Sequence, residues 1–562
     1  MRRFRLWALP LMMALSACSA GDVSSTESDE QLITGATFVT MDGDASPEAM
    51  LISEGRIIAL GTEAALSTMR PNAETLDYSG RTILPGFIDS HVHIRELGLD
   101  AIKVDLVGVE TVEDIVRRIQ DQRPNLNPGE WVIGQGWDEG AFASYDGSDA
   151  VGGYPTTRAI SAAFPDNPVA LESLHGFGAM ANAKALEIVG IDDDTPNPEG
   201  GTILRDETGA ATGVLLTLAQ ALLFEKVPAP DDAQIEAAII AGLNRMAEAG
   251  VTSVHEAGMT ARDVRAFQAI AGQGRLPIRV VGLLNGNDTD LMNHWFERGI
   301  EDDPKDWLDI RGIKVFFDGS LGSRTAILHA PYSDRPDAAH PTARISFGDM
   351  DQLGVRANER GFQMAVHAIG DAANHIVLTQ FERNLLSSDT MPDHRWRIEH
   401  AQVVDETFAE RAADLQVIAS MQPSHAMGDS PWAEARVGPN RIKRAYSWKT
   451  FQDAGVPIIF NSDLPGEPWE PMETLHFAMT RTKLDGTPEG GWYFNEALDR
   501  EASLRAMTID GAHAAFQDAS LGSLATGKWA DFVVLSGNPL TAPDVRDIKV
   551  EATFVAGKRV GN

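Results

Sequence analysis

The sequence predicts an α/β protein in which a (β/α)₈ barrel is joined to a small composite β-sandwich that both ends of the chain form. Two observations predict this fold class. Through the middle of the chain, near-continuous hydrophobic runs alternate with amphipathic helical patterns, which is typical of parallel strands buried on both faces. Short runs of alternating apolar and polar residues, separated by glycines, occur only near the two ends of the chain. This pattern is typical of antiparallel β-structure.

The two β-rich segments are residues 32–84 and 515–562. The first contains alternating stretches such as 36–40 and 56–60, and the second contains the strand-like run 531–535, followed by a Ser-Gly-Asn-Pro turn. The segments are widely separated in the chain, and one sandwich closed by both termini is the simplest way to reconcile them.

The region 85–514 is predicted to form the barrel. Hydrophobic runs that suit its strands lie at 276–284, 313–317, 362–366, 417–420 and 456–460. A doubly wound sheet is the alternative, but no Gly-x-Gly-x-x-Gly motif follows the first strand, and this disfavours it. Residues 107–250 are rich in glycine and proline, and we interpret them as early barrel units interrupted by a large insertion.

The N-terminus has the pattern of a targeting segment. Three arginines within the first five residues precede the apolar run 6–15, which is too short to span a bilayer. Cys18, the only cysteine, ends a Leu-Ser-Ala-Cys word that resembles a bacterial lipobox. We expect residues 1–18 to be a lipoprotein-type signal, Cys18 to carry a lipid anchor and residues 19–31 to be a flexible tether. A bacterial cell-envelope location on the periplasmic side follows. The alternative is a cleaved soluble signal with an incidental cysteine.

The charge balance is strongly acidic. The chain has 47 Lys and Arg against 81 Asp and Glu, a formal net charge of −34. A surface that negative repels phosphate backbones, so nucleic acid is not an expected partner. The sequence does not fix the oligomeric state, and a homodimer is one assembly that it leaves open.

Two histidines follow the first predicted barrel strand. His91 and His93 are two residues apart, so on a strand their imidazoles leave on the same face. Two imidazoles that converge at the end of a buried strand form a natural clamp for a metal ion, although a His-x-His pair alone is a weak signal.

Three later polar residues each lie just past a hydrophobic run. His367, His400 and Asp463 would therefore occupy the C-terminal rim, where barrel enzymes carry their chemistry. His367 and His400 are 33 residues apart, and His400 and Asp463 are 63 apart. A barrel allots roughly 30 residues to each strand–helix unit. The spacings thus correspond to one unit and two units.

Lys314 lies inside the hydrophobic run 313–317, where an ammonium group is costly to bury. One interpretation is an ion pair with a carboxylate such as Asp318. The other is a carbamate formed with CO₂, which would turn the cation into an anionic ligand that bridges two divalent ions. The physics leaves both open.

The order His-x-His, Lys, His, His, Asp resembles the amidohydrolase superfamily. The sequence motifs around these residues resemble its amidohydrolase-3 branch, which includes enzymes similar to N-substituted formamide deformylases. The resemblance extends from about Leu32 to the end of the chain. These motifs are Gly86–His93, Phe317–Arg324, His367–Asp371, Arg397–Gln402 and the closing segment Gly522–Asp531.

The resemblance implies a TIM-like barrel and one or two divalent ions per chain, with zinc expected. His91 and His93 would hold one metal, His367 and His400 the other, and a carboxylated Lys314 would bridge them. Asp463 would bind metal and act as the catalytic acid and base, taking a proton from the attacking water and returning it to the leaving amine.

Four residues are candidates for binding substrate: Trp137, His175, Asp318 and Arg324. His175, together with Asn182, loosely matches a histidine and an asparagine of the branch, and Arg324 suits a substrate carboxylate. Glu399 and Asp371 are next to or near two predicted ligands in the sequence and are expected to orient imidazoles, and His425, near the rim of the seventh strand, is a weak pocket candidate.

The resemblance, together with these residues, implies a metal-dependent hydrolase that cleaves a carbon–nitrogen amide bond other than a peptide bond in a small molecule. A deaminase or an esterase with the same metals is the enzymatic alternative. A lipid-anchored solute-binding protein is the alternative from a different class.

Overall fold

The computed structural model describes residues 30–43, 46–137, 151–173, 178–198, 200–337, 340–386 and 393–561. The predicted signal segment, Cys18 and most of the predicted tether lie outside these ranges. Of the helices within them, none has the length and hydrophobicity that crossing a bilayer requires.

The N-terminal part of the chain forms short strands around one helix. Its elements are β1 (Glu30–Thr34), β2 (Thr37–Phe38), β3 (Ala49–Ser53), β4 (Arg56–Gly61), α1 (Glu63–Met69), β5 (Glu74–Asp77) and β6 (Thr82–Pro85). Because β1 begins at Glu30, the β unit starts earlier than the predicted boundary at Leu32.

A single barrel strand, β7 (Phe87–Val92), comes next, followed by α2 (Ile94–Ile102). The chain then leaves the barrel and forms a separate six-stranded sheet with its own helices. These elements are β8 (Val104–Asp105), α3 (Val112–Gln122), β9 (Val132–Trp137), α4 (Arg158–Ala163), β10 (Val169–Ser173), β11 (Gly178–Ala181), α5 (Ala183–Val189), β12 (Gly201–Arg205), β13 (Ala211–Thr217) and α6 (Ala221–Phe224).

This sheet has the strand order β12-β13-β11-β10-β9-β8 and buries two small hydrophobic clusters of its own. The interpretation of residues 107–250 as early barrel units is wrong in one respect. The described residues between β7 and Val251 contribute no strand to the barrel sheet. The short strands of this region pair with one another instead.

The rest of the barrel follows the predicted alternation. Its elements are α7 (Asp232–Glu248), β14 (Val251–Met259), α8 (Ala261–Gly272), β15 (Arg279–Asn285), α9 (Thr289–Arg298), β16 (Leu308–Phe316), α10 (Phe347–Arg360), β17 (Gln363–Ala368), α11 (Asp371–Leu385), β18 (Arg397–His400), α12 (Phe408–Asp414), β19 (Ile418–Met421), α13 (Pro423–Asp429), α14 (Ala433–Arg441), α15 (Trp448–Ala454), β20 (Ile458–Phe460), α16 (Pro471–Thr480), α17 (Arg500–Ala506) and α18 (Ile509–Ala514).

Eight parallel strands make a nearly closed barrel in the order β20-β19-β18-β17-β16-β15-β14-β7. The backbone N–H of Asp463 donates to the carbonyl oxygen of His91 at 2.9 Å across the gap between the first and last strands. The closure of the barrel therefore brings the residue after β20 beside the residue at the end of β7.

The chain ends in β21 (Phe532–Leu535), β22 (Val550–Val555) and β23 (Lys558–Val560). They join β2 and β6 in a five-stranded sheet, while β4, β3, β1 and β5 form a four-stranded one. One hydrophobic cluster includes side chains of both sheets, among them Ile52, Ile83 and Phe554. Both ends of the chain thus contribute to one β-rich domain, as the sequence predicts.

Candidate metal centre

The predicted ligands occupy the carboxyl ends of five barrel strands. His91 lies in β7 and His93 directly follows it, Lys314 lies near the end of β16, His367 lies in β17, His400 ends β18, and Asp463 follows β20. Because all eight strands are parallel, these side chains meet at one mouth of the barrel.

Asp463 lies between two groups of imidazoles. Its Oδ1 is 3.4 Å from Nε2 of His91 and 3.2 Å from Nε2 of His93. Its other oxygen, Oδ2, is 3.9 Å from Nδ1 of His400 and 3.9 Å from Nε2 of His425. Each oxygen of the Asp463 carboxylate therefore faces its own pair of histidines.

Both groups fit a divalent metal. In each of the sets His91–His93–Asp463 and His400–His425–Asp463, one possible ligand atom per residue lies within 4.8 Å of the others. Imidazole nitrogen and carboxylate oxygen are ligands that zinc accepts at about 2.0–2.2 Å. The chemistry and spacing of these donors thus suit the metal that the sequence predicts.

His91 is held in the form that a metal ligand needs. Its Nδ1 lies 2.5 Å from Oε2 of Glu399, so Nδ1–H donates to the carboxylate and Nε2 keeps a lone pair, which accepts from Nζ of Lys314 (3.1 Å). Burial lowers the pKa of His91 to about 4, and the nearby Lys314 adds to this effect. The imidazole is therefore neutral, as coordination requires.

Glu399 is itself fixed in place. Burial raises its pKa, but Arg397 and His91 outweigh this effect and hold the pKa well below its usual value. The guanidinium of Arg397 binds both Glu399 oxygens, and all three side chains are fully buried. The predicted orienting role of Glu399 agrees with these contacts.

A chain of hydrogen bonds runs from the second group of imidazoles to the same carboxylate. Nδ1–H of His400 donates to Oε1 of Gln422 (2.8 Å), and Nε2 of Gln422 donates to Oδ1 of Asn461 (2.8 Å). Nδ2 of Asn461 donates to Oγ of Ser420 (2.9 Å), which donates to Oε2 of Glu399 (2.7 Å). Each donor points toward the buried anion, so the chain fixes Nε2 of His400 as the nitrogen that carries a lone pair.

His367 lies at the same mouth but belongs to neither metal set. Its ring centre is 4.5 Å from that of His400. Its Nε2 lies 3.3 Å from the carbonyl oxygen of Gly319 and 3.4 Å from Oδ1 of Asp318. The role of His367 as a metal ligand therefore remains a prediction, and His425 is a further imidazole beside His400 and Asp463.

Lys314 is buried, with 1% of its surface exposed. Its Nζ lies 3.1 Å from Nε2 of His91, and both carboxylate oxygens of Asp318 accept backbone N–H groups instead. Burial lowers the pKa of Lys314 to about 8. An ion pair with Asp318 is therefore not what the structure contains.

Two of these residues have a strained backbone. His400 has φ of 77° and Asp463 has φ of 52°, in the left-handed region that residues with a Cβ rarely adopt. Such conformations cost on the order of 1–3 kcal/mol each and persist only where the surroundings impose them. Their location at two candidate ligands supports a functional role for this mouth.

A cavity of about 340 Å³ opens over the two metal sets. Phe316, Leu321 and Trp432 give it an apolar wall, and Asp429 and Glu467 add two carboxylates. Its size and mixed lining suit a small organic molecule rather than a polymer.

The structure describes three of the four residues that the sequence predicts to bind substrate. His175 lies outside the described residues. Trp137 is fully buried in the inserted sheet, donates from Nε1 to the carbonyl oxygen of Leu171 (3.1 Å) and does not line the cavity. Arg324 pairs with Asp334 at 2.8 Å and does not line the cavity either, so its contacts connect loops.

Asp318 and Asn182 organise backbone. Asp318 accepts N–H groups of Ile369 and Gly370, both at 3.0 Å, so its carboxylate ties the loop after β16 to the loop after β17. Oδ1 of Asn182 caps the start of α5 and accepts the N–H of Val169. Both side chains are buried and already partnered, which accounts for their presence without a substrate.

The sequence predicts only a weak pocket role for His425 and no role for Gln422, Asn461 or Ser420. His425 follows β19 as the other ligands follow their strands, and this position was the available signal. The other three lie in or directly after buried strands, and their roles depend on contacts that the sequence does not display.

Comparisons with known proteins agree with this geometry. Residues 74–560 match the family model described as "Amidohydrolase family". YtcJ of Bacillus subtilis (strain 168) is 30% identical over 92% of this chain and 96% of its own length. The N-substituted formamide deformylase of Arthrobacter pascens is 28% identical over 95% of this chain and 98% of its own.

A solved structure of a metal-dependent hydrolase from Pyrococcus furiosus is 26% identical, with a TM-score of 0.73, and the match covers 91% of this chain and all of that one. The family match includes the whole barrel and every candidate ligand at its mouth. The chain therefore belongs to the amidohydrolase family and is a hydrolase.

Proposed function

We propose that this hydrolase cleaves the carbon–nitrogen bond of a small N-acyl or N-formyl amine at a divalent-metal centre. His91, His93, His400, Lys314 and Asp463 are the residues that would hold the metal, together with His367, as the sequence predicts, or with His425, the imidazole that also faces Asp463. The observation that carries the proposal is the position of Asp463, whose two oxygens face two pairs of imidazoles. The similarity to a formamide deformylase and the modest volume of the cavity support this class of substrate.

A divalent metal bound there would lower the pKa of a water molecule and polarise the carbonyl group of the substrate. Asp463 would accept the proton of the attacking water and deliver it to the nitrogen of the leaving amine, because an unprotonated amine leaves poorly. Glu399 and Gln422 would fix which ring nitrogen of His91 and of His400 carries the lone pair.

Lys314 would enter this centre as a carbamate. Its depressed pKa raises the fraction of neutral amine near neutral pH above that of an exposed lysine, and the lone pair of Nζ can attack the carbon of CO₂. The new N–C bond forms as the nitrogen releases one proton, and the product carries a negative charge. ¹³C NMR of the protein in ¹³C-bicarbonate is expected to show a carbamate signal that Lys314→Arg lacks. A signal of equal intensity in both proteins would contradict this assignment.

The function is tested with the metal-loaded protein and a panel of N-formyl and N-acyl amines with their matched esters. The expected result is turnover of at least one amide, and a decrease in kcat of about 10²- to 10⁴-fold in Asp463→Asn, since that is what a general acid–base contributes. Asp453→Asn, an exposed carboxylate on α15, is the matched control and keeps kcat. Cleavage of esters alone, or an Asp463→Asn enzyme as fast as wild type, would reject the proposal.

A further inference from the structure

A second cluster of potential metal ligands lies outside the two metal sets of the candidate centre, His91–His93–Asp463 and His400–His425–Asp463. Nδ1 of His375 is 2.7 Å from Oδ2 of Asp405, and Nε2 of His329 is 3.9 Å from the same oxygen. The two imidazole rings are 5.6 Å apart at an angle of 71°. One possible ligand atom from each of the three residues lies within 4.8 Å of the others.

Asp405 is arranged to offer one oxygen outward. Its Oδ1 accepts the N–H and the hydroxyl of Thr407, both at 2.8 Å. Its Oδ2 therefore faces the two imidazoles, and only 15% of the side chain is exposed. A carboxylate that is already desolvated and held in place has less freedom to lose when it binds a cation.

The two histidines are also held in position. The backbone N–H of His329 donates to Oδ1 of Asp371, the first residue of α11 (2.9 Å). His375 lies four residues further along the same helix, one turn away, and its ring contacts Asp405 and the ring of His329. The loop after β16 and helix α11 thus present their imidazoles to each other.

We propose that His329, His375 and Asp405 form a separate site for a divalent transition-metal ion of the zinc class. Two imidazoles and one carboxylate are a set that zinc uses, with water at the open positions. Bonds of about 2.0–2.1 Å in tetrahedral geometry place ligand atoms roughly 3.4 Å apart. The 2.7 Å separation would widen and the 3.9 Å separation would narrow, which side chains that are 42% and 51% exposed can accommodate.

The site would link three segments at the rim of the barrel. His329 belongs to the loop after β16, and Ser320 to Gly322 of that same loop line the catalytic cavity. His375 belongs to α11, and Asp405 to the segment after β18. An ion bound only by the folded arrangement of these segments stabilises the native protein and fixes the loop that forms part of the cavity wall.

The chain offers a matched control. His513 and Asp518 form another partly exposed histidine–carboxylate pair, with Nδ1 3.8 Å from Oδ2, and Arg395 also binds that carboxylate. No second imidazole joins this pair among the residues that the structure describes. A lone histidine beside an already neutralised carboxylate is not expected to hold an ion.

The experiment titrates Zn²⁺ into the metal-loaded protein by calorimetry and counts zinc after dialysis. Wild type is expected to bind one ion more than His375→Ala and to melt at a higher temperature in Zn²⁺. The affinity for that ion is expected to fall at least about 10-fold in His375→Ala and in Asp405→Asn. Mutation of a residue that only hydrogen-bonds to a metal ligand already lowers metal affinity by about 10-fold or more, and these two residues would be ligands themselves. His513→Ala is expected to match wild type in every reading.

His329→Ala is included because it is expected to fold normally: its side chain is half exposed, and its backbone hydrogen bond to Asp371 does not depend on the ring. Equal zinc content and affinity in wild type, His329→Ala and His375→Ala would overturn the proposal. None of the three residues lines the catalytic cavity, and zinc content and affinity are read without a substrate, so this result is distinguishable from a failure of the proposed function, which is tested by turnover with Asp463→Asn.

Discussion

At the scale of single residues, the candidate centre depends on which imidazole nitrogen carries a proton. His91 and His400 each use Nδ1–H to donate to a buried acceptor, Glu399 in one case and Gln422 in the other. Each acceptor is held by further hydrogen bonds, so neither ring can change tautomer without leaving a buried polar atom unpaired. The tautomers of both rings are therefore fixed before a metal binds.

Gln422→Met tests this arrangement. The substitution keeps the volume of the side chain but removes the acceptor of His400 Nδ1–H and the donor to Asn461. We expect metal affinity or kcat to fall by about 10- to 100-fold, the usual cost of losing a partner of a ligating histidine. The measurement is metal titration together with kcat.

The control for this prediction is Gln452→Met on the exposed surface of α15. A loss of thermal stability without a change in metal affinity or kcat would show that Gln422 only supports packing. That outcome would contradict a positioning role.

At the scale of elements, the barrel could be predicted because each parallel strand carries its own signal. The run 313–317 has the composition of a strand buried on both faces, and the structure places most of it in β16. The strand ends could likewise be predicted to carry the ligands. The prediction therefore extended from the strands to the mouth of the barrel.

The inserted sheet and the hydrogen-bond chain could not be predicted in the same way. Strands β10 and β11 are only five and four residues long and pair locally, so they give little periodic signal. The contact between Ser420 and Glu399 exists because the register places these residues opposite each other on β18 and β19. Register is a property of pairing between strands, and one strand read alone does not contain it.

The crossing of α2 and α7 supports the first metal ligands. A Cβ added at Gly98 of α2 would lie 1.7 Å from the backbone oxygen of Ala238, and one added at Gly242 of α7 would lie 2.6 Å from that of Ile94. Helix α2 begins directly after His93. The close approach of the two helices therefore positions the backbone next to a candidate ligand.

Gly98→Ala is expected to force the helices apart and to lower the free energy of unfolding by about 1–3 kcal/mol, the usual cost of overpacking. Metal affinity should fall as well, because His93 moves with α2. Denaturant midpoints and metal titration measure the two effects. Gly272→Ala, in α8 with nothing within 4 Å of the added Cβ, is the matched control and should stabilise the protein by about 0.5–1 kcal/mol.

Equal unfolding midpoints for Gly98→Ala and wild type would contradict the crossing described above. A decrease in stability of the same size in Gly272→Ala would do so too, because it would assign the loss to the alanine itself rather than to the contact between α2 and α7.

At the scale of the whole molecule, the composite sandwich could be predicted because both ends of the chain have the same pattern of short strand-like runs. Its attachment to the barrel could not be predicted. The attachment contains a buried ion pair. Nε of Arg279, at the start of β15, lies 2.5 Å from Oδ2 of Asp531, the residue before β21. Arg279 also lies over the rings of Trp307 and Trp529, at 5.0 and 4.9 Å from their centres.

Both charges of this pair are desolvated, with Arg279 fully buried and Asp531 5% exposed at its side chain. Removing one partner leaves an uncompensated charge in a medium of low dielectric constant, whereas removing both leaves none. The stability of the connection is therefore expected to depend on whether the charges match rather than on the presence of the ion pair as such.

Arg279→Met is expected to lower the free energy of unfolding by about 3–5 kcal/mol, the usual cost of isolating one member of a buried pair. The double variant Arg279→Met/Asp531→Asn should recover most of this loss, because an asparagine oxygen can still accept the N–H that Ala556 donates to Asp531. Thermal and denaturant unfolding of the three proteins provide the measurement. Arg70→Met, which breaks the exposed pair with Glu30, is the control and should cost less than about 1 kcal/mol. A double variant as unstable as Arg279→Met would instead assign the loss to the packing of Arg279 on the two tryptophans, and the connection between barrel and sandwich would then be an aromatic contact rather than an electrostatic one.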